Sequence, residues 1–253
     1  MRKLYAAIGA AAILLCALTA AVSAAEAPKE PWQQLYTGQE ATGPNVIGLW
    51  QFLPGQETSD NSGHKHDLAL QGQSRFVKEG PFGAALESFV ANAENDKPQG
   101  VITKDTPDLS PAGAFTLEAW FTAKPEMEQS PNVFLLDKKV YNYAKDLPQA
   151  NWDYCLYMPR SGVNKRRLTV SLGFGKDSAF VTGPEIDTTP GQWRHVAFTY
   201  DGAGLCRFFI DGKLMAKVPL EGRGPITPGN NALTIGDRLG STHTGFPGYL
   251  AQV

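Results

Sequence analysis

The stretch WRHVAFTYDGAGLCRFFIDGK, Trp193 to Lys213, constrains this chain more than any other. Trp193–Tyr200 and Leu205–Ile210 are runs of aromatic and β-branched residues, the side chains that suit a pleated, half-buried surface. Asp201-Gly202 and Asp211-Gly212 punctuate them. Asp bonds its own neighbouring backbone in such turns, and Gly takes positive φ without a steric clash. One turn therefore joins two antiparallel strands and a second closes them. A chain built on such a hairpin is committed to sheet.

The rest of the chain continues that theme. Strands are expected at Asn132–Asp137, Trp152–Met158, Arg167–Phe174 and Ala232–Gly236, separated by turn residues. That spacing suits an antiparallel sandwich and not a βαβ array. Ala114–Ala123 alternates Phe115, Leu117, Ala119, Phe121 and Ala123 with Thr116, Glu118, Trp120 and Thr122. The first set lines a core between two sheets, and the second points outward. A length of 253 residues fits one all-β domain. The formal net charge of −2 carries no electrostatic footprint for nucleic acid.

The N-terminus reads as an export signal over residues 1–24. Arg2 and Lys3 precede the apolar Ile8–Ala21, and Val22-Ser23-Ala24 supplies the small residues of a cleavage site. The apolar run is short of the ~20 residues that a transmembrane helix needs, so no stable transmembrane anchor is expected. The expected location is secreted, periplasmic or cell envelope. Cys16 leaves with the signal, and Cys155 and Cys206 remain in an oxidising compartment. They are either a disulfide, worth about 4 kcal/mol by loop entropy, or two buried thiols on separate strands. Residues 25–45 form a polar, proline-containing linker or strap with Trp32, Leu35 and Tyr36 as anchors. The domain proper spans 46–253.

Four motifs carry a resemblance. These are the Trp193–Lys213 hairpin, VIGLWQF from Val46 with the Asp60-Asn61-Ser62-Gly63 turn after it, GPFGAALESF over Gly80–Phe89, and FPGYLAQV at the end. Together they resemble the laminin-G-like jelly rolls of the concanavalin A-like lectin/glucanase superfamily. The resemblance implies an all-β, antiparallel two-sheet β-sandwich. It also implies a closing strand that continues past the position of Val253, so either the sequence is a truncated product or the last strand is shortened and leaves an open edge. Ala251 and Gln252 replace the Asp-Glu pair of the family motif, which removes an acidic group and weakens a carried-over calcium assignment. His195 belongs to the W-x-H motif, whose family position implies packing.

The chemistry points to binding. The superfamily includes laminarinase-type glycoside hydrolases with an E-[IV]-D-x-x-E strand, and Glu185-Ile186-Asp187 matches its first three positions. Thr188, Thr189 and Pro190 follow, so the third carboxylate is missing. A retaining mechanism needs two carboxyls facing one bond, and the laminin-G-like pattern places a loop here. Candidate calcium ligands are Asn92, Asn95 and Asp96, with Glu94 beside them, against the reading of a solvated acidic loop. His64 and His66 share a strand face as a candidate transition-metal pair without a third ligand. Lys165-Arg166-Arg167 reads as a solvated basic turn. Glu118 and Trp120 on an outward strand face, with Tyr141 and Tyr143 in a long loop, are candidate ligand contacts. Aromatic faces stack on sugar rings, and carboxylates bond hydroxyls. A Trp covered by a loop is the plain alternative. The reading is a secreted non-catalytic recognition module for carbohydrate or an extracellular or envelope protein. Calcium is the one cofactor considered. The alternatives are a laminarinase-type hydrolase using Glu185 and Asp187, and a structural module of a longer protein.

Overall fold

The computed structural model describes residues 29–90, 97–141, 151–239 and 244–253. The first strands are β1 (Ala69–Leu70), β2 (Arg75–Val77), β3 (Ala85–Val90), β4 (Val101–Thr103), β5 (Phe115–Ala123) and β6 (Asn132–Asp137). A short ribbon follows, β7 (Val140–Tyr141) with β8 (Asn151–Trp152). The long central strands are β9 (Tyr154–Gly162), β10 (Lys165–Gly173) and β11 (Ser178–Asp187). Next come β12 (Arg194–Tyr200), β13 (Leu205–Ile210), β14 (Lys213–Pro219), β15 (Leu233–Ile235) and β16 (Gly245–Ala251). Helical structure among the described residues is limited to short 3-10 turns, and none of it is long and apolar enough to cross a membrane.

Two antiparallel seven-stranded sheets pack face to face. The first runs β1-β4-β15-β6-β9-β10-β11, the second β14-β13-β12-β5-β16-β3-β2. The alternation in β5 works as expected. Leu117, Ala119, Phe121 and Ala123 enter the core, where they meet Leu156 and Met158 of β9 and Leu168, Val170 and Leu172 of β10. Phe198 and Phe208 enter from β12 and β13, with ring centroids 5.2 Å apart.

The opening hairpin forms as β12–β13, with Val196 opposite Ile210 and Tyr200 opposite Cys206. Its first turn is held by Asp201, whose Oδ1 accepts from the amides of Ala203 (2.8 Å) and Leu205 (2.9 Å). At the second turn Asp211 and Gly212 have φ of 49° and 71°, both left-handed, the conformation that a two-residue hairpin turn demands. Asp211 also accepts from the His195 amide (3.0 Å) and from Arg194 Nη1 (2.9 Å), so the turn clamps the start of β12.

Two expectations change, and a third is refined. The closing strand β16 lies inside its sheet between β5 and β3 and pairs with β5 only from Trp120 to Ala123, so Phe115–Ala119 have no strand on that side among the described residues. Its pairing runs on to the terminal residue, where Val253 and Trp50 exchange two backbone bonds of 2.9 Å. The segment around Glu185 is the ten-residue edge strand β11 and not a loop. Pro184 sits inside it, and an edge strand tolerates a missing donor. The basic run at 165–167 is only partly solvated. Arg166 is fully buried and donates to the carbonyls of Met127, Ser130 (2.8 Å) and Met158 (3.0 Å).

Candidate functional site

The outward face of β5 is where the candidate contacts lie, and β12 completes it. His195 stands opposite Trp120, Ala197 opposite Glu118 and Thr199 opposite Thr116. This face is covered by the chain's own N-terminal strap, through Trp32 and Tyr36. Its first turn, Pro31–Gln33, sets the Trp32 indole on Trp120, with centroids 5.6 Å apart and planes 21° from parallel. The same indole lies 5.2 Å from the His195 ring. Phe82 meets Trp120 edge-on at 5.6 Å. Trp120 Nε1 donates to the Trp32 carbonyl (3.2 Å). Gly212 makes room for this arrangement, since a Cβ there would come 2.2 Å from Trp32 Nε1.

One turn further along, the Tyr36 hydroxyl donates to Glu118 Oε1. Burial, then the Glu118 charge, raises the Tyr36 pKa well above the usual tyrosine range. His195 Nε2 lies 3.0 Å from the same carboxylate oxygen without hydrogen-bond geometry, and its Nδ1 has no hydrogen-bond partner among the described residues. His195 is 3% exposed. It therefore packs, as its motif implies, but it packs inside the site.

The strap backbone is held by an unexpected residue. Gln252 Oε1 accepts from the Tyr36 amide (2.8 Å), and its Nε2 donates to the Gln34 carbonyl (2.9 Å). Gln51 Nε2 bridges the Tyr36 carbonyl (2.9 Å) and Gln252 Oε1 (3.0 Å). A carboxylate at 252 could accept from Tyr36 but has no proton for Gln34. The amide that departs from the family's acidic pair is what allows both bonds.

The structure does not gather all the candidates into one place. Glu118 and Trp120 share the outer face of the second sheet. Tyr141 belongs to the β7–β8 ribbon that follows β6 of the first sheet, and Tyr143 lies outside the described residues. Asn92, Asn95 and Asp96, with Glu94, also lie outside them. His64 and His66 stack at 5.8 Å and both engage Asp108, at 3.2 and 3.1 Å, so they pin the Pro107–Leu109 turn to the Asp60 loop. Among the described residues no group of three metal-ligating side chains assembles.

Cys155 and Cys206 are free thiols. Cys206 joins the core between the sheets, whereas Cys155 sits on the outward side of β9 opposite Asp137. A bridge would require one strand to turn over. Burial raises both pKa values, that of Cys206 to about 12, so neither is a ready thiolate. Glu185 and Asp187 stand exposed on the β11 edge. Lys165 and Ser161 hold the Glu185 carboxyl below its usual range, and the Thr189 hydroxyl and amide do the same for Asp187. A glycosidase's general acid needs the opposite shift.

Two seven-stranded sheets in this order define a lectin-like jelly-roll sandwich. A laminin-G family model, described as "Concanavalin A-like lectin/glucanases superfamily", matches residues 95–253, and the chain belongs to that superfamily. No curated protein matches it in sequence. Among solved structures it is similar to the binding domain of Paraclostridial Mosquitocidal Protein 1, at 13% identity and a TM-score of 0.57, over 82% of this chain and 48% of that one. It is similar at 14% identity and a TM-score of 0.57 to the botulinum neurotoxin serotype C1 binding domain, over 81% of this chain and 47% of the other. A third likeness is to domain 4 of AbnA, a GH43 extracellular arabinanase from Geobacillus stearothermophilus, in complex with arabinotriose. There identity is 15% and the TM-score 0.52, over 81% of this chain and 89% of that domain. The chain thus spans about half the length of the toxin binding domains. Likeness at such identities concerns the fold, and one fold hosts many functions.

Proposed function

We propose that this is an exported, non-catalytic recognition module that binds carbohydrate on the outer face of β5 and β12, through Trp120 and Glu118 with His195 beside them. One observation supports this reading above the others: what the strap does there. It lays a flat ring on Trp120 and brings a hydroxyl to Glu118. A pyranose makes the same pair of contacts, its apolar face on an indole and its hydroxyls on a carboxylate. The strap is then an internal occupant that a ligand displaces. The toxin domains, similar in fold, are named as binding domains, and the AbnA domain is in complex with arabinotriose, which fits the reading. The exposed, ion-paired setting of Glu185 and Asp187 supports a binding role over hydrolysis.

The test is titration of a panel of soluble oligosaccharides by calorimetry. Trp32→Ala is expected to bind roughly tenfold more tightly than the wild type, because the competent face is then populated without competition. Adding Trp120→Ala should abolish that binding. A protein that binds no glycan with or without Trp32, or binds equally without Trp120, would overturn the reading. Turnover of a β-glucan that is lost in Glu185→Gln would favour the hydrolase instead.

A further inference from the structure

The outer face that carries Trp120 and Glu118 continues over β12, β13 and β14, on the side of β5 away from β16. Cys206 and Phe208 of β13 enter the core, so Arg207 and Phe209 point outward by the period of two. Arg207 stands between Thr199 of β12 and Lys217 of β14, directly opposite each. Phe209 stands opposite Ala197, and Ala197 opposite Glu118. One row across the face is thus Glu118–Ala197–Phe209, and the next is Thr199–Arg207–Lys217. Thr199 and Arg207 are partly exposed and Lys217 is exposed.

The second row is unfavourable as it stands. Like charges directly opposite one another across an antiparallel pair destabilise it, and Arg207 and Lys217 are placed that way. Neither has an ion-pair or hydrogen-bond partner among the described residues. Other cations of this sheet are neutralised: Arg75 and Lys124 share Glu87, and Arg194 bonds Asp211. The carboxylates around the row are committed elsewhere. Glu118 serves Tyr36 and His195. The amides of Leu205 and Ala203, and then the Arg207 charge, hold the Asp201 carboxyl below its usual range. Glu40 of the strap borders the same cavity as Arg207 without pairing with it.

We infer that Thr199, Arg207 and Lys217 form an anion subsite, and that the saccharide of the stacked face is an acidic one, bearing a carboxylate or a sulfate ester. This inference rests on the carbohydrate reading given above. A guanidinium fork matches two oxygens of either group, and the ammonium and the hydroxyl can take the others. The subsite lies four residues along and two strands across from Trp120, about 13 Å by 10 Å. That is the reach of a short oligosaccharide and exceeds that of one sugar. Phe209 offers an apolar seat between the ends. With Glu118 at one end and two cations at the other, the face also fixes the direction of the bound chain. A neutral saccharide would leave the opposed cations unmatched.

The probes are a galacturonate tetrasaccharide, its methyl ester and a sulfated galactose tetrasaccharide, titrated by calorimetry into the wild type and Trp32→Ala. The ester keeps the shape and removes the charge, and the sulfated probe separates the two anionic groups. An acidic probe is expected to bind both proteins, roughly tenfold more tightly than the ester at low salt, and added salt should shrink that ratio. Arg207→Gln should weaken the acidic probe roughly fivefold and Lys217→Gln roughly twofold, with the ester unaffected. Both substitutions relieve a like-charge pair, so the urea midpoint should hold or rise while binding falls. A merely structural role would lower both together. Three results would overturn the inference: equal binding of acid and ester, an acid preference that survives loss of both cations, or no binding of either acidic probe by either protein. Binding to phosphatidylglycerol vesicles with none to the saccharides belongs to the last case and would make the row a lipid contact. The two proposals fail separately. An acid preference that depends on Arg207 but ignores Trp32→Ala and Trp120→Ala keeps the subsite and removes the stacked face. Trp120-dependent binding without acid preference does the reverse.

Discussion

β5 and β11 each present a pair of outward groups two residues apart, Glu118 with Trp120 and Glu185 with Asp187, yet the two pairs live in different chemistries. The first lies within a sheet, under a strap, against Trp32, Phe82, His195 and the Tyr36 hydroxyl. The second lies on a sheet edge in water, its carboxylates 3.1 Å from Lys165 and 3.7 Å from Arg194. A strand's period of two decides which side chains share a face, but not what will cover that face. Burial and partners decide that, and they come from distant parts of the chain.

The strongest way to break the contrast is Trp120→Ala. It removes the indole on which Trp32 and Phe82 rest, and large aromatic truncations in packed sites cost about 3 kcal/mol. Urea denaturation should show that loss. Gln252→Glu comes next. Gln252 is 1% exposed, so the substitution places a carboxylate in a buried site and removes the donor to the Gln34 carbonyl. The expected cost is about 2 kcal/mol. Limited proteolysis should then cut the strap before the sandwich, and acidification, which neutralises the new carboxylate, should slow the cutting. Failure of either variant to loosen residues 30–36 would erase the distinction between the covered and open pairs.

Much of this was legible beforehand, and for stated reasons. The hairpin could be read because Asp-Gly fixes a turn locally, and β5 because one of its faces is wholly apolar. β14 escapes the pattern because Lys213–Pro219 is a largely exposed edge strand whose apolar face is only Leu214, Ala216 and Val218, with Met215 apolar on the other side. β11 was missed because Gly183 and Pro184 interrupt it. The strap's anchors Trp32 and Tyr36 were evident as aromatics in a polar segment, but no local pattern announces that they reach Trp120 and Glu118. Phe82 looked like a motif residue and is a wall of the site. Gln252 held the one usable clue: its departure from the acidic family motif, which reads as a loss and works as a two-way anchor.

Alkaline pH sharpens the comparison further. Because its folded pKa is raised, Tyr36 contributes stability that is complete below the ordinary tyrosine range near 10 and is lost as the pH climbs toward the folded value. The near-UV circular dichroism of the stacked indoles should therefore fade above that range before the sandwich unfolds. Tyr36→Phe removes the hydroxyl at a cost of about 1 kcal/mol and should remove this pH dependence with it.

The smallest expected effect belongs to the open pair. Glu185 bonds Lys165 and Ser161 at the surface, where ion pairs contribute about 0–1 kcal/mol and salt screens them. Glu185→Gln should therefore move the urea midpoint little, and less still in high salt, and it should leave binding by the Trp32→Ala protein unchanged. A large shift would mean that the β11 edge is coupled to the covered face through Asp187 and Arg194, whose side chain also bonds Asp211 beneath the seat of Trp32. In that case the two regions would form one continuous polar network, and the edge carboxylates would be positioning elements for the stacked site instead of solvated bystanders.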